Sequence, residues 1–128
     1  MGGGRGGSYQ TSNSAALESN LRSLESKYPR SPAGFFGNPG IGSGARQISS
    51  SDPQATAAEF FRIARRGAGP VEETRPGVFR AAFKGGSHVM YRPRSHTDGS
   101  PVVEIVSKMR YTGQTRRQKI HFVAEEKK

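Results

Sequence analysis

Five side chains suited to acid–base or phosphate chemistry fall in the second half of this 128-residue chain: His88, Arg92, Glu104, Lys119 and His121. Ser95, His96 and Thr97 lie between Arg92 and Glu104. Cutting RNA without a metal takes a base that removes the 2′-OH proton and an acid that protonates the departing 5′ oxygen. It also takes cations or donors that hold the phosphate while charge builds. Imidazole suits proton transfer because its pKa of about 6.5 lies near working pH. A carboxylate can serve as the base, and a guanidinium forks onto two phosphate oxygens. His121, Glu104 and Arg92 match these roles by type, His88 is a second imidazole, and Ser95 and Thr97 offer hydroxyl donors. Lys84, Arg94, His96, Arg116, Arg117 and Lys119 read as the surrounding RNA-binding surface. This set asks for no metal and no cofactor. Plainer uses exist for the same residues: His121 as a strand histidine without a task, Arg92 paired with Glu104 or Asp98, and Ser95 and Thr97 as turn-capping hydroxyls.

These groups act together only if the elements carrying them share a face. Four β-rich runs are expected, Val78–Phe83, His88–Arg92, Val102–Val106 and Ile120–Val123, with a hairpin at Gly85-Gly86, a turn at Asp98-Gly99 and a long basic connection from Ser107 to Lys119. Side chains alternate across a strand. With Val89, Tyr91, Val103, Ile105, Ile120 and Phe122 turned to a core, parity gathers His88, Arg92, Glu104, Lys119 and His121 on the opposite face. The core partner is a helix expected over about 53–66. Ser51-Asp-Pro-Gln54 opens it, with Gln54 placed as in a capping box, and Ala57, Phe60, Ile63 and Ala64 form its apolar face. Arg62, Arg65 and Arg66 suit its C-terminal dipole, and Gly67 stops it. The expected fold is α+β: one N-terminal helix, or two, packed on a small antiparallel sheet of about four strands.

Residues 1–50 read differently. Met1–Ser8 is Gly-rich low-complexity sequence, unlike a signal peptide, and resembles the linker just past a release point in a longer chain. Leu17, Leu21, Leu24 and Tyr28 recur at helical steps from about Ser14 to Lys27, ended by Pro29 and Pro32. Ser31–Ser50 is Gly/Pro/Ser-rich. The expected division is a flexible linker with one marginal helix over 1–50, then one domain over 51–128; a substrate or partner arm is the other reading of the first part.

Composition narrows the function class. Apolar residues make up 32% of the chain, against roughly 45–50% for a typical globular domain with Gly counted in. No run is long and apolar enough for a membrane span. The absence of Cys excludes a disulfide scaffold, a thiolate metal site and a cysteine nucleophile. Net charge is +10, and between Arg75 and Lys119 ten Lys or Arg face only Asp98 and Glu104. Such a surface draws a phosphate backbone in a salt-dependent way.

The stretch Tyr91-Arg-Pro-Arg-Ser-His-Thr-Asp-Gly-Ser-Pro-Val-Val-Glu-Ile105, followed by Gln118-Lys-Ile-His-Phe-Val123, resembles the C-terminal toxin domains of bacterial polymorphic toxins. Asp52-Pro-Gln-Ala-Thr-Ala-Ala-Glu-Phe-Phe61 is similar to their upstream helix, so the likeness spans about residues 50–124. It implies a ribonuclease of the barnase/EndoU/colicin/RelE (BECR) fold, delivered by contact-dependent growth inhibition or a related secretion route as the C-terminal part of a larger secreted or surface protein. It further implies action on RNA, tRNA foremost, in the target-cell cytoplasm, and a cognate immunity protein. By position it points to Arg92, Ser95, Thr97, Glu104, Lys119 and His121. The chain departs from the pattern at Arg94, where an apolar residue is expected, and at His96, where a small hydroxyl residue is expected.

Two other function classes compete. A non-catalytic RNA- or DNA-binding module predicts salt-sensitive binding with intact nucleic acid. It is disfavoured because the sheet offers no pair of exposed aromatics for stacking, Tyr91 and Phe122 being assigned to the core. A metal-dependent DNase lacks a ligand set, with two carboxylates in the basic stretch.

Overall fold

A computed structural model describes residues 15–40, 45–95, 99–109 and 114–125. Helix α1 spans Ala15–Glu25; strands β1 and β2 are Asn38–Pro39 and Ala45–Ser50; helix α2 is Pro53–Ala64. Strands β3 to β7 follow as Glu72–Arg75, Val78–Ala82, His88–Arg92, Val102–Lys108 and Thr115–Ala124. They form one seven-stranded sheet in the order β1-β2-β7-β6-β5-β4-β3. Neighbours from β3 to β7 run antiparallel, and β2 pairs with β7 in parallel.

The small four-stranded antiparallel sheet of BECR type is therefore corrected to an α+β fold with two helices and a mixed seven-stranded sheet. The four expected runs are β4 to β7. The three additional strands carry weak sequence signals. In β2, Ile48 is the lone large apolar residue, and β3 is a polar, exposed edge with a register shift between Glu73 and Arg75. Both are strands because a neighbour supplies the ladder, a tertiary effect that propensity does not report. The basic connection is shorter than expected, since β6 and β7 stay paired from Val102–His121 out to Lys108–Thr115.

Residues 15–50, read from sequence as a linker with a marginal helix, contribute α1, β1 and β2. Leu17, Leu21 and Leu24 are fully or almost fully buried in the same core as α2 and the sheet. Asn20 explains part of this docking: its buried amide donates to the carbonyls of Ala64 and Arg66, both at 2.8 Å, and so satisfies acceptors left over at the end of α2. Phe60 stands at the centre of the core, its ring 5.3–5.5 Å from those of Tyr28, Phe36 and Phe122. Contacts of this kind add about 0.5–1.5 kcal/mol each beyond burial.

The start of α2 differs in detail from the expected capping box. Asp52 is the cap, its carboxylate accepting from the Ala55 N–H at 3.2 Å. Gln54 instead donates to the Pro93 carbonyl at 3.0 Å, tying the helix start to the segment after β5. Gly67 follows α2 with φ +81°, and Gly85 and Gly86 make the β4–β5 turn with φ +92° and +104°, conformations that favour glycine.

Candidate functional site

Both helices cover one face of the sheet; the other carries the candidate chemistry. Its rows follow from the register. Arg92 lies opposite Val102, Val102 opposite His121, and His121 opposite Gln47. The next row joins Lys119, Glu104, Met90 and Arg80, and the one after it joins Arg117, Val106, His88 and Ala82. His88, Arg92, Glu104, Lys119 and His121 thus share the face away from the helices.

They do not form one tight cluster. Arg92 and His121 are two strands apart, about 10 Å between backbones. Lys119 and Glu104 are two residues further along, and His88 lies four residues from Arg92, about 13 Å along the strand. Lys84, in the β4–β5 turn, is at the His88 end. Arg94 is exposed just beyond Arg92, and Ser95 is buried with its backbone N–H donating to the Ser100 carbonyl at 2.8 Å. His96 and Thr97 lie outside the described residues.

The face is less open at its centre than alternation alone implies. Val102, Glu104, Val106 and His121 are all buried, with His121 only 9% exposed. Its Nδ1 lies 2.8 Å from the Ser100 hydroxyl. Ser100 is the residue that sequence reasoning missed. The available signal was its position two residues before Val102, the strand neighbour of His121. Its hydroxyl fixes the ring orientation in the way a partner on one imidazole nitrogen does generally. Glu104 pairs with Arg117 at 3.2 Å, not with Arg92.

His88 has a different environment. Its Nδ1 is buried and makes no hydrogen bond among the described residues. Burial first, then the Arg80 guanidinium, hold its pKa below the ordinary imidazole value, while the Gly86 backbone and Glu104 pull the other way and Arg117 lowers it further. The neutral ring is the form this site favours.

Arg116 is on the helix side of the sheet, not beside Arg117. Its guanidinium donates to the Ala33 carbonyl at 2.9 Å and stands 5.8 Å from the Phe35 ring centroid, with Arg46 5.4 Å from the same ring. Among the described residues no group of three or more His, Asp or Glu is arranged to hold a metal ion, and no helix is long and apolar enough to cross a membrane. No family model, curated protein or solved structure matches the chain.

Proposed function

We propose that this chain is an endoribonuclease that works without a metal. In this reading His121 transfers a proton and Arg92 and Lys119 hold the phosphate. The observation that carries it is the cross-strand row Arg92–Val102–His121. It sets a guanidinium and an imidazole on one face, about 10 Å apart at the backbone, a span from which two side chains can meet one phosphate. The 2′-oxygen loses its proton to a base and bonds to phosphorus. The P–O5′ bond breaks, and the 5′ oxygen takes a proton from an acid. Base and acid are drawn from His121 and Glu104. Ser100 is a positioning residue that acts through His121.

The basic excess between Arg75 and Lys119 supports a polyanionic substrate. The three sequence blocks described above support tRNA as the RNA. They also support a toxin role in a target bacterium, delivered as part of a larger secreted or surface protein, with an immunity protein covering the basic face. Purified chain incubated with total bacterial RNA in EDTA is expected to cleave it. His121→Gln lowers the rate by about 10²–10⁴-fold, the usual scale of acid–base catalysis, with circular dichroism verifying that the variant folds. Equal cutting by parent and folded variant refutes the site; no cutting by the parent refutes the enzyme.

Two observations favour a second reading, a basic RNA-binding module without catalysis. His121 is almost covered and Glu104 is engaged by Arg117. That reading predicts RNA retained intact and bound in the same assay.

A further inference from the structure

His88 and Arg80 take no part in the cleavage chemistry above, yet they stand on the same open face. The cross-strand neighbours of His88 are Ala82 on β4 and Val106 on β6, and Arg117 on β7 continues that row. Arg80 lies diagonally from the imidazole on β4, opposite Met90. Lys108 lies diagonally from it on β6, two residues past Val106 and so on the same face. The Lys108 side chain leans over the β4–β5 turn: a Cβ added at Gly86 would stand 3.0 Å from its Cδ. Three cations therefore surround one imidazole across the short side chains of Ala82 and Val106.

Carboxylates nearby do not balance these charges. Among the described residues, the Arg80 guanidinium and the Lys108 ammonium make no ion pair or hydrogen bond. Glu72, opposite Arg80 on β3, is exposed and does not pair with it. Glu104 on β6 is committed to Arg117 at 3.2 Å, and Lys119 beside it on β7 adds another cation. His88 itself is half-buried, with Nδ1 covered and without a hydrogen bond, which leaves Nε2 as the nitrogen toward the open face. Burial and the Arg80 charge favour the neutral ring.

We infer that Arg80, His88, Lys108 and Arg117 form a subsite for a further phosphate of the bound RNA strand, apart from the one at the cut bond. This rests on the ribonuclease reading above. One phosphate cannot serve both places, because His88 lies about 13 Å along β5 from Arg92. Cationic N–H donors make strong, short bonds to phosphate oxygens, and an anion among these groups offsets their mutual repulsion. It also favours the charged imidazolium, so binding here takes up a proton at His88. RNA thus holds this end of the face more tightly as pH falls.

The test is binding of two probes to the full chain across pH, with the His88 ring followed by nuclear magnetic resonance. The probes are inorganic phosphate and a 2′-O-methyl tetranucleotide, which attack by a 2′-oxygen cannot cut. The tetranucleotide is expected to raise the His88 pKa by about 1. Between about pH 7.5 and about pH 5.5 its affinity then rises about tenfold more for the parent than for His88→Gln. His121 is present in both chains, so its own titration cancels. Arg80→Gln, which leaves the imidazole in place, weakens binding and lowers the slope of log affinity against log salt by about one. A His88 ring that titrates alike with and without the tetranucleotide overturns the subsite and leaves the RNA reading standing. The same holds if His88→Gln leaves the pH dependence of binding unchanged. A His88 response to inorganic phosphate alone assigns these groups to a small free anion and overturns the RNA subsite. No binding of the tetranucleotide at any pH overturns both readings.

Discussion

Ser100 and His121 meet at 2.8 Å across the entry to β6, and this contact decides how the imidazole is presented. If Ser100 positions a proton-transferring ring, Ser100→Ala lowers kcat by about tenfold, one charge-assisted contact, and leaves KM and the urea midpoint unchanged. A slower variant whose urea midpoint falls with its rate assigns Ser100 to packing alone. His88 yields a prediction about stability. Its folded pKa lies below the unfolded value of about 6.5, so as pH falls through that value the unfolded chain takes up a proton that the folded chain refuses. Stability therefore falls as pH is lowered from neutrality through about 6.5, and levels off below the folded pKa. Urea midpoints for His88→Gln show a shallower fall than the parent; parallel profiles contradict this account. The face shared by His88, Arg92, Glu104, Lys119 and His121 was legible because strand parity is strict. The coverage of His121 was not, since it depends on side chains and turns from beyond its own strand.

At the scale of elements, the strong local signals match the observed structure. The apolar stripe of α2 and the runs of β4 to β7 follow from periodicity and β-branched content. β2 and β3 escaped because Ala45–Ser50 and Glu72–Arg75 carry little apolar pattern, and only pairing with β7 and β4 makes them strands. The α1 stripe was visible, but its anchoring was not: Asn20 reaches α2 at a separation of more than forty residues, which no local window records. This gives a direct check on whether α1 is structural. Leu24→Ala, at a fully buried position, costs about 2–5 kcal/mol, whereas the exposed Arg22→Ala stays within about 0.5 kcal/mol. Denaturant midpoints read both. Equal, small effects assign α1 to a tether.

Across the whole molecule, a mixed sheet separates two surfaces. One is packed under α1 and α2 around Phe60, and the other carries Arg80, Arg92, Arg117, Lys119 and two histidines against Glu104. The positive balance was readable from composition. The parallel insertion of β2 beside β7 was not, because it joins segments some seventy residues apart. Seven strands in this order replace the four-stranded BECR-like sheet, so the ribonuclease proposal stands on the arrangement of side chains and not on fold. The most direct measurement is the chemistry of the ends left on RNA after digestion by the purified chain in EDTA. Attack by the 2′-oxygen leaves a 2′,3′-cyclic phosphate on one fragment and a 5′-hydroxyl on the other, and both disappear with His121→Gln. Intact RNA, or fragments ending in 5′-phosphate and 3′-hydroxyl, contradicts the account.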